Sequence, residues 1–179
     1  MRIVQVTCQL LSVSFLIFNV ESKFQSLHCN MIDKDWGEFK LCRIKAISRN
    51  RNSINLEYIQ KYYNNDVWIR VEYFKRLNGW RPFLYNYKGN VCAFLKNRNN
   101  LLMKLAYEYI KPYTNFNHSC PLLANETIRV SNYEIDVDHL RVRFPIENGE
   151  YAMHTTWYHK NIPKLTLNGS ILYYNYRTH

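Results

Sequence analysis

The stretch WIRVEYFK, from Trp68 to Lys75, alternates apolar and charged side chains along the chain. Successive side chains of an extended strand point to opposite faces of a sheet, so Ile69, Val71 and Tyr73 share one face. The charged residues between them occupy the other face, which suits solvent. The pattern predicts a half-buried strand, and it recurs along most of the chain.

The residues after this strand predict a hairpin and then further strands. The pair Asn78-Gly79 favours a tight turn, after which Pro82–Tyr87 can return as the partner strand. Other strand candidates are Phe39–Arg49, Ser53–Gln60, Val91–Leu95, Thr127–Ser131, Glu150–Tyr158 and Leu165–Tyr174. Short strands with few helical stretches predict a mainly β protein, packed as an antiparallel sandwich.

One segment has helical periodicity instead. Between Asn100 and Lys111, the residues Leu102, Leu105 and Tyr109 recur at helical spacing, and Pro112 ends the pattern. We therefore predict one α-helix here, capped by an asparagine. Its apolar stripe suits packing against a sheet, and the alternative is that the stripe borders a ligand cavity.

Composition favours a single folded domain. The chain has 179 residues, of which 47% are hydrophobic, 16% aromatic and 21% charged. These values exclude a disordered chain and allow a substantial core. The 24 Lys and Arg residues against 14 Asp and Glu give a net charge of +10.

The amino terminus predicts a secretory signal peptide. Arg2 precedes the apolar run Leu10–Phe18, and Val20 and Ser22 are small enough for a cleavage site after Ser22. We divide the chain into a signal peptide (1–22) and one mature domain (23–179). The alternative is a membrane anchor, for which the uncharged stretch is at the lower limit of length.

Removal of the signal takes Cys8 and leaves Cys29, Cys42, Cys92 and Cys120. An even count in a secreted chain predicts two disulfides, and three pairings are possible. We favour Cys29 with Cys42, because the short spacing suits neighbouring strands, and Cys92 with Cys120, which would hold the helix between them. The spacings do not support a zinc site.

Three glycosylation sequons begin at Asn117, Asn125 and Asn168. Together with the signal and the cysteines, they predict a secreted, extracellular protein. Export argues against a nucleic-acid partner, although basic charge with many aromatics would fit one. The charge is better assigned to anionic lipid, sulfated glycan or an acidic receptor face.

The residue patterns do not indicate an enzyme. The mature cysteines are explained by disulfides, and the sequence has neither a G-x-S-x-G elbow nor a spaced carboxylate pair. We expect His118 to hydrogen-bond backbone near Cys120, the alternative being a metal ligand. The sequence predicts no metal and no cofactor.

A basic surface is predicted at the hairpin, where Lys75, Arg76 and Arg81 lie beside Trp80. These residues suit a lipid head group or an acidic receptor patch. The alternative is an ordinary hairpin whose cations serve solubility, with the neighbouring aromatics in the core.

Five blocks of sequence carry a resemblance to a known family. They are FQSLHCNMIDKDWGEFKLCRIKA (24–46), YFKRLNGWRPFLYN (73–86), CAFLKN (92–97), NFNHSCP (115–121) and ENGEY (147–151). The chain resembles an insect family of small secreted proteins with a domain-of-unknown-function heading, related to CheB-type chemosensory proteins and the ML lipid-recognition superfamily. It departs from the pattern at Asn90, where an Asp is expected, and at Ile146, where a Pro is expected.

The resemblance to ML proteins implies an immunoglobulin-like sandwich whose two sheets splay to admit a lipid. Our first hypothesis is therefore a secreted, non-enzymatic carrier of a lipid or small apolar ligand, with chemosensation as its setting. The expected lining residues are Phe83, Tyr85, Phe94, Leu102, Leu105, Tyr109, Tyr151, Met153 and Trp157. The second hypothesis is an accessory protein with a filled core, which binds a membrane receptor or channel through its basic surface.

Overall fold

The structure, a computed structural model, describes residues 20–84, 86–142 and 146–175. Its strands are β1 (Val20–Met31), β2 (Gly37–Ser48), β3 (Arg51–Gln60), β4 (Val67–Leu77), β5 (Gly79–Pro82), β6 (Tyr87–Asn90), β7 (Thr127–Tyr133), β8 (Gly149–His159) and β9 (Ile162–Asn175). Its helices are α1 (Val91–Asn97), α2 (Leu101–Ile110), a 3₁₀ turn (Lys111–Tyr113) and α3 (Val137–Arg141).

The strands form two antiparallel sheets. The larger sheet has the order β1-β9-β8-β4-β5, with β6 also paired to β4. The smaller sheet has the order β2-β3-β7, so β2 is one of its edge strands. The predicted mainly β, antiparallel architecture with two disulfides is confirmed.

The edges β1 and β2 are joined across the two sheets. The disulfide between Cys29 and Cys42 links them, with a Cα–Cα distance of 6.2 Å. Farther along β1, the Asn52 side chain accepts from the Phe24 amide at 2.9 Å and donates to the Phe24 carbonyl at 2.8 Å. These contacts hold one side of the sandwich together.

The prediction of a strand at Val91–Leu95 is wrong, because these residues form α1. Asn90 caps the helix, since its side-chain oxygen accepts from the Ala93 amide at 2.8 Å. An aspartate, which the family pattern led us to expect there, would cap equally well. Val91, Phe94 and Leu95 are buried, so a short apolar run that reads as a strand instead packs as one side of a helix.

The second disulfide joins Cys92 to Cys120, the pairing that we favoured, with a Cα–Cα distance of 5.3 Å. It starts on α1 and not on a strand as expected. The predicted helix is α2, and the Asn100 side chain accepts from the Met103 amide at 3.0 Å. The described residues therefore contain three α-helices where one was predicted.

The returning strand of the predicted hairpin is divided. β5 ends at Pro82, and β6 rejoins β4 nearer the other end of that strand. Pro82 has no amide proton to continue the ladder, and Leu84 has a φ of 61°, which turns the backbone away. β5 therefore ends at Pro82, and the Phe83 amide makes one further bond to β4, donating to the Tyr73 carbonyl at 2.7 Å.

The predicted signal peptide lies almost entirely at residues 1–19, outside the described residues. Val20 to Ser22 belong to β1 and pair with the end of β9. Cleavage after Ser22 stays a prediction. Among the described residues, no helix has the length and apolar character needed to cross a membrane.

Candidate functional site: an apolar cavity between the sheets

A cavity of about 90 Å³ lies between the two sheets. Two clusters of buried residues meet here, and Ile128 and Trp157 pack against both of them. The cavity wall is formed by Trp36, Phe39, Tyr58, Gln60, Val67, Val91, Phe116, Leu122, Ile128, Trp157, Leu165 and Leu167. The cavity is thus an unfilled part of an aromatic and aliphatic core.

Strand alternation brings these side chains together. Tyr58 and Gln60 are two residues apart near the end of β3, and Leu165 and Leu167 are two apart near the start of β9. Each pair therefore points to a single face of its sheet. The end of β3 and the start of β9 lie at the same end of the sandwich, so the cavity lies there too. Trp36, from the β1–β2 loop, also contributes to the wall.

The wall is uncharged. Its residues include no Asp, Glu, Lys, Arg or His. The Tyr58 hydroxyl donates to Gln60 Oε1 at 2.9 Å, and Gln60 Nε2 donates to the Tyr62 carbonyl at 2.9 Å. Burial raises the pKa of Tyr58, so its hydroxyl stays neutral at physiological pH. Such a wall suits a neutral apolar molecule and not an ion.

The inner face of the larger sheet is not covered along its whole length. Tyr151, Met153, Thr155 and Trp157 alternate along β8 and so point to the same face. Tyr151 and Thr155 are buried, but Met153 is 41% exposed. Met153 is therefore accessible to solvent between two buried neighbours on this face.

The structure separates the predicted lining residues. Trp157 is in the cavity wall. Phe94 is buried in the adjoining cluster and packs against Tyr107, with ring centroids 5.9 Å apart. Tyr151 lies nearer the start of β8, where its ring contacts Phe83 at 5.1 Å. Phe94 therefore belongs to the core beside the cavity, whereas Tyr151 is buried nearer the opposite end of β8 from Trp157.

The remaining predicted lining residues are Leu102, Leu105, Tyr109 and Tyr85. The first three lie outside the wall, because α2 packs on the core through Met103 and Tyr107. Leu102 is 47% exposed, and the Tyr109 ring contacts His139 of α3. Tyr85 lies outside the described residues.

Most wall residues were missed by the sequence reasoning. Tyr58, Leu165 and Leu167 lie in correctly predicted strands, and their alternation already assigns them to an inner face. Trp36 follows a strand in a loop, so periodicity does not identify it. A search for aromatic residues near strand ends would have found part of this wall.

The hairpin surface, defined here as Lys75, Arg76, Leu77, Trp80 and Arg81, is less basic than predicted. Lys75 pairs with Glu147 at 2.6 Å, and Arg76 with Glu150 at 3.4 Å. The Arg76 guanidinium also lies over the Trp80 ring, 5.5 Å from its centroid. Leu77 is 63% exposed. The surface combines exposed apolar groups with partly neutralised cations.

The three sequons differ in their surroundings. Asn117 and Asn125 are exposed. Asn168 lies within β9, where its side-chain oxygen accepts from the Thr155 amide at 3.3 Å. Glycosylation of these residues stays a prediction.

His118 uses both ring nitrogens within the protein. Nδ1 contacts the Ser119 carbonyl at 2.8 Å, and Nε2 contacts Glu126. The Ser119 carbonyl and then the Glu126 carboxylate raise the pKa of His118, because both are acceptors that favour the protonated ring. In the part of the chain that the structure describes, no three His, Cys, Asp or Glu residues group as metal ligands.

We expect the stabilisation from protonated His118 to be present below its unfolded pKa and to be lost as the pH rises through the higher folded pKa. NMR titration of the ring should give a pKa above the ordinary histidine value, and His118→Gln should remove this part of the pH dependence of unfolding. His154→Gln is the control, since His154 stacks on Phe74 instead. A folded pKa at or below the ordinary value would contradict this interpretation.

Comparison with known proteins gives two similarities. Residues 69–153 match the family described as "Protein of unknown function (DUF1091)". No curated protein matches the chain significantly. Among solved structures, the chain is similar to a Niemann-Pick type C2 protein from Japanese carpenter ant, with 14% sequence identity and a TM-score of 0.32. That match covers 88% of this chain and 98% of the ant chain. The family match begins within β4 and ends within β8.

Proposed function

We propose that the protein is a non-enzymatic binder of a small apolar molecule, which it holds between its two sheets. The observation that carries this proposal is the uncharged cavity at the junction of the two core clusters. Apolar burial, at about 25 cal/mol per Å² of surface, would supply most of the affinity. A neutral ligand fits because the wall offers no charge to pair with an ion.

The cavity volume limits the ligand. Ordinary small-molecule sites measure roughly 300–1,000 Å³, whereas this cavity measures about 90 Å³. A larger ligand could reach Met153 along the inner face of β8 only if side chains moved, because Thr155, which lies between Trp157 and Met153 on that face, is buried. Met153, a predicted lining residue, therefore stays a candidate contact for a longer apolar chain.

The proposed setting is extracellular. The two disulfides are typical of oxidising compartments. The predicted signal peptide and sequons agree with export, and the resemblance to CheB-type proteins suggests chemosensory tissue. We propose that the partner is an apolar ligand and not a nucleic acid. Localising the native protein with an antibody would test whether it is present in chemosensory tissue.

Extraction of the native secreted protein tests the proposed function directly. We expect mass spectrometry to find a neutral apolar compound in the wild-type extract. Ile128→Trp should remove the compound, because the larger ring would fill the cavity that Ile128 lines. Ile162→Trp is the matched control, since Ile162 is 58% exposed at the β8–β9 turn. Wild-type protein without any extracted compound, or equal amounts in the wild type and Ile128→Trp, would contradict the proposal.

A second candidate function is supported by the hairpin surface. Its exposed Leu77 and Trp80 lie beside cations, which suits an acidic receptor or channel face with an apolar centre. The small cavity agrees with the filled core that this hypothesis requires. An empty extract, together with loss of receptor binding in Trp80→Ala, would favour this function over carriage.

A further inference from the structure

A line of cations follows the edge strand β2 and the turn after it. Lys40, Arg43, Lys45, Arg49 and Arg51 are all exposed, and we call these five residues the basic ridge. The segment from Lys40 to Arg51 contains no Asp or Glu. The ridge therefore concentrates positive charge at one edge of the smaller sheet.

The register of β2 shows which way the centre of the ridge points. Ile44 pairs with Ile54, which is buried on the inner face of β3. Arg43 and Lys45 flank Ile44 in the chain, so they point to the outer face, about 7 Å apart along the strand. The disulfide of Cys42 fixes this part of β2 to β1. Both cations thus project into solvent from a strand that is held in place.

Carboxylates of the protein neutralise only part of the ridge. Lys40 pairs with Glu38 at 2.7 Å, and Arg51 pairs with Glu134 at 2.9 Å. Among the described residues, no carboxylate pairs with the other three cations, which are Arg43, Lys45 and Arg49.

The strand beside β2 does not supply a partner either. Asn55 lies opposite Arg43, and Ser53 lies opposite Lys45, and both of these facing residues are uncharged. Glu57, farther along β3, is already paired with an arginine of β7 at 3.3 Å. The unpaired cations of the ridge are therefore available to an anion from outside the protein.

The ridge differs in character from the hairpin surface. On the hairpin surface, Lys75 and Arg76 have carboxylate partners and lie beside exposed Trp80. Segment 40–51 contains no aromatic residue, and its one exposed large apolar side chain is Ile47. Surfaces that lie on membranes usually combine cations with aromatic anchors. The ridge therefore fits a soluble polyanion better than a lipid bilayer.

The shape of the ridge narrows the class of polyanion. Its cations recur along an extended strand, over at most about 30 Å from Lys40 to Arg49. A linear polymer with anionic groups at intervals matches such a line better than a compact anion does. Arginine can donate two parallel hydrogen bonds to an oxyanion such as sulfate, which stays negative at physiological pH.

We propose that the basic ridge binds a linear sulfated glycan, whose sulfate groups pair with Arg43, Lys45 and Arg49. The site lies on the outer face of the smaller sheet and in the turn after β2, whereas the cavity lies between the sheets. The proposal therefore does not depend on the apolar ligand. Binding would hold the exported protein at surfaces that carry such glycans.

Calorimetric titration of the full secreted protein with a heparin octasaccharide tests this site. The triple variant Arg43→Gln, Lys45→Gln, Arg49→Gln should bind about tenfold more weakly, because each exposed ion pair contributes about two- to threefold. Its affinity should also fall less steeply with added salt, since fewer counterions leave the polyanion on binding. A heparosan octasaccharide, which has a similar backbone without sulfate, should bind the wild type about tenfold more weakly than heparin does.

A second triple variant is the matched control. Lys75→Gln, Arg76→Gln, Arg81→Gln removes the same net charge from the hairpin surface, and its affinity for heparin should stay within about twofold of the wild type. If the ridge variant does not fold, Lys45→Gln with Arg49→Gln replaces it, with an expected loss of about fivefold. Ile128→Trp, which fills the cavity, should bind heparin like the wild type.

The outcomes separate a glycan site from general attraction and from membrane binding. Equal losses in the two triple variants would mean that net charge alone attracts heparin, and would overturn the site. Equal wild-type affinities for heparin and heparosan would also overturn it, because sulfate would not be what the ridge recognises. If the wild type bound vesicles of phosphatidylserine and phosphatidylcholine through the ridge but did not bind heparin, the ridge would be a membrane contact instead. A loss confined to the ridge variants and the sulfated probe would support the proposal.

Discussion

The protein carrying Cys92→Ala and Cys120→Ala is expected to lose about 2–5 kcal/mol of unfolding free energy. The disulfide closes a loop with a sequence separation of 28, and α2 lies inside that loop. Without the bond, the loop gains conformational freedom in the unfolded chain, and α2 loses the restraint on its detachment. Urea unfolding would measure the loss, and hydrogen exchange should rise first in α2.

The other disulfide supplies the control. Cys29→Ala with Cys42→Ala removes a bond with a sequence separation of 13 that joins the edge strands β1 and β2. We expect faster exchange in those strands and little change in α2. If both double variants loosened the same residues, the Cys92–Cys120 bond would not be what restrains the helix.

Trp157→Ala is expected to lower the free energy of unfolding by about 3 kcal/mol. This is the lower end of the range for truncating a large aromatic residue, and we choose it because Trp157 is only half-buried. Its ring packs against both core clusters and forms part of the cavity wall. Its indole also donates to Thr155 Oγ1 at 3.2 Å. The loss should appear as a lower midpoint in urea unfolding with an unchanged slope.

Trp80→Ala is the matched control for this substitution. Trp80 is 41% exposed and contacts the Arg76 guanidinium on the hairpin surface. Its removal should cost less than about 1 kcal/mol, the usual size of an exposed cation–π contact. Comparable losses in the two variants would mean that Trp157 does not hold the clusters together.

The strands were predictable where one face is buried and the other is solvated. The alternation of β3, where Ile54, Leu56 and Tyr58 are buried and the residues between them are less so, leaves a period-two signal that few other structures produce. The first turn of α2 was predictable because Asn100 precedes a helical repeat and caps it. By contrast, α1 is a short apolar run, for which periodicity does not separate a helix from a strand.

The cavity wall was harder to predict than the strands. Alternation assigns Leu165 and Leu167 to one face, but it does not say which residues of the opposite sheet meet them. That choice depends on the order and register of the strands, which long-range pairing determines. The side of α2 that faces the core was also predicted wrongly. Helical spacing favoured the stripe with Leu102, which is exposed, whereas Met103 packs against the core.

The edge strand β2 has a consequence for how copies of this protein meet in solution. An unpaired strand edge can add a strand from another molecule, and continued addition leads to aggregation. Arg43 and Lys45 are exposed on β2. If two copies paired through this edge, their positive side chains would be brought close together, and like charges on neighbouring strands repel. β2 thus carries its own protection against sheet extension.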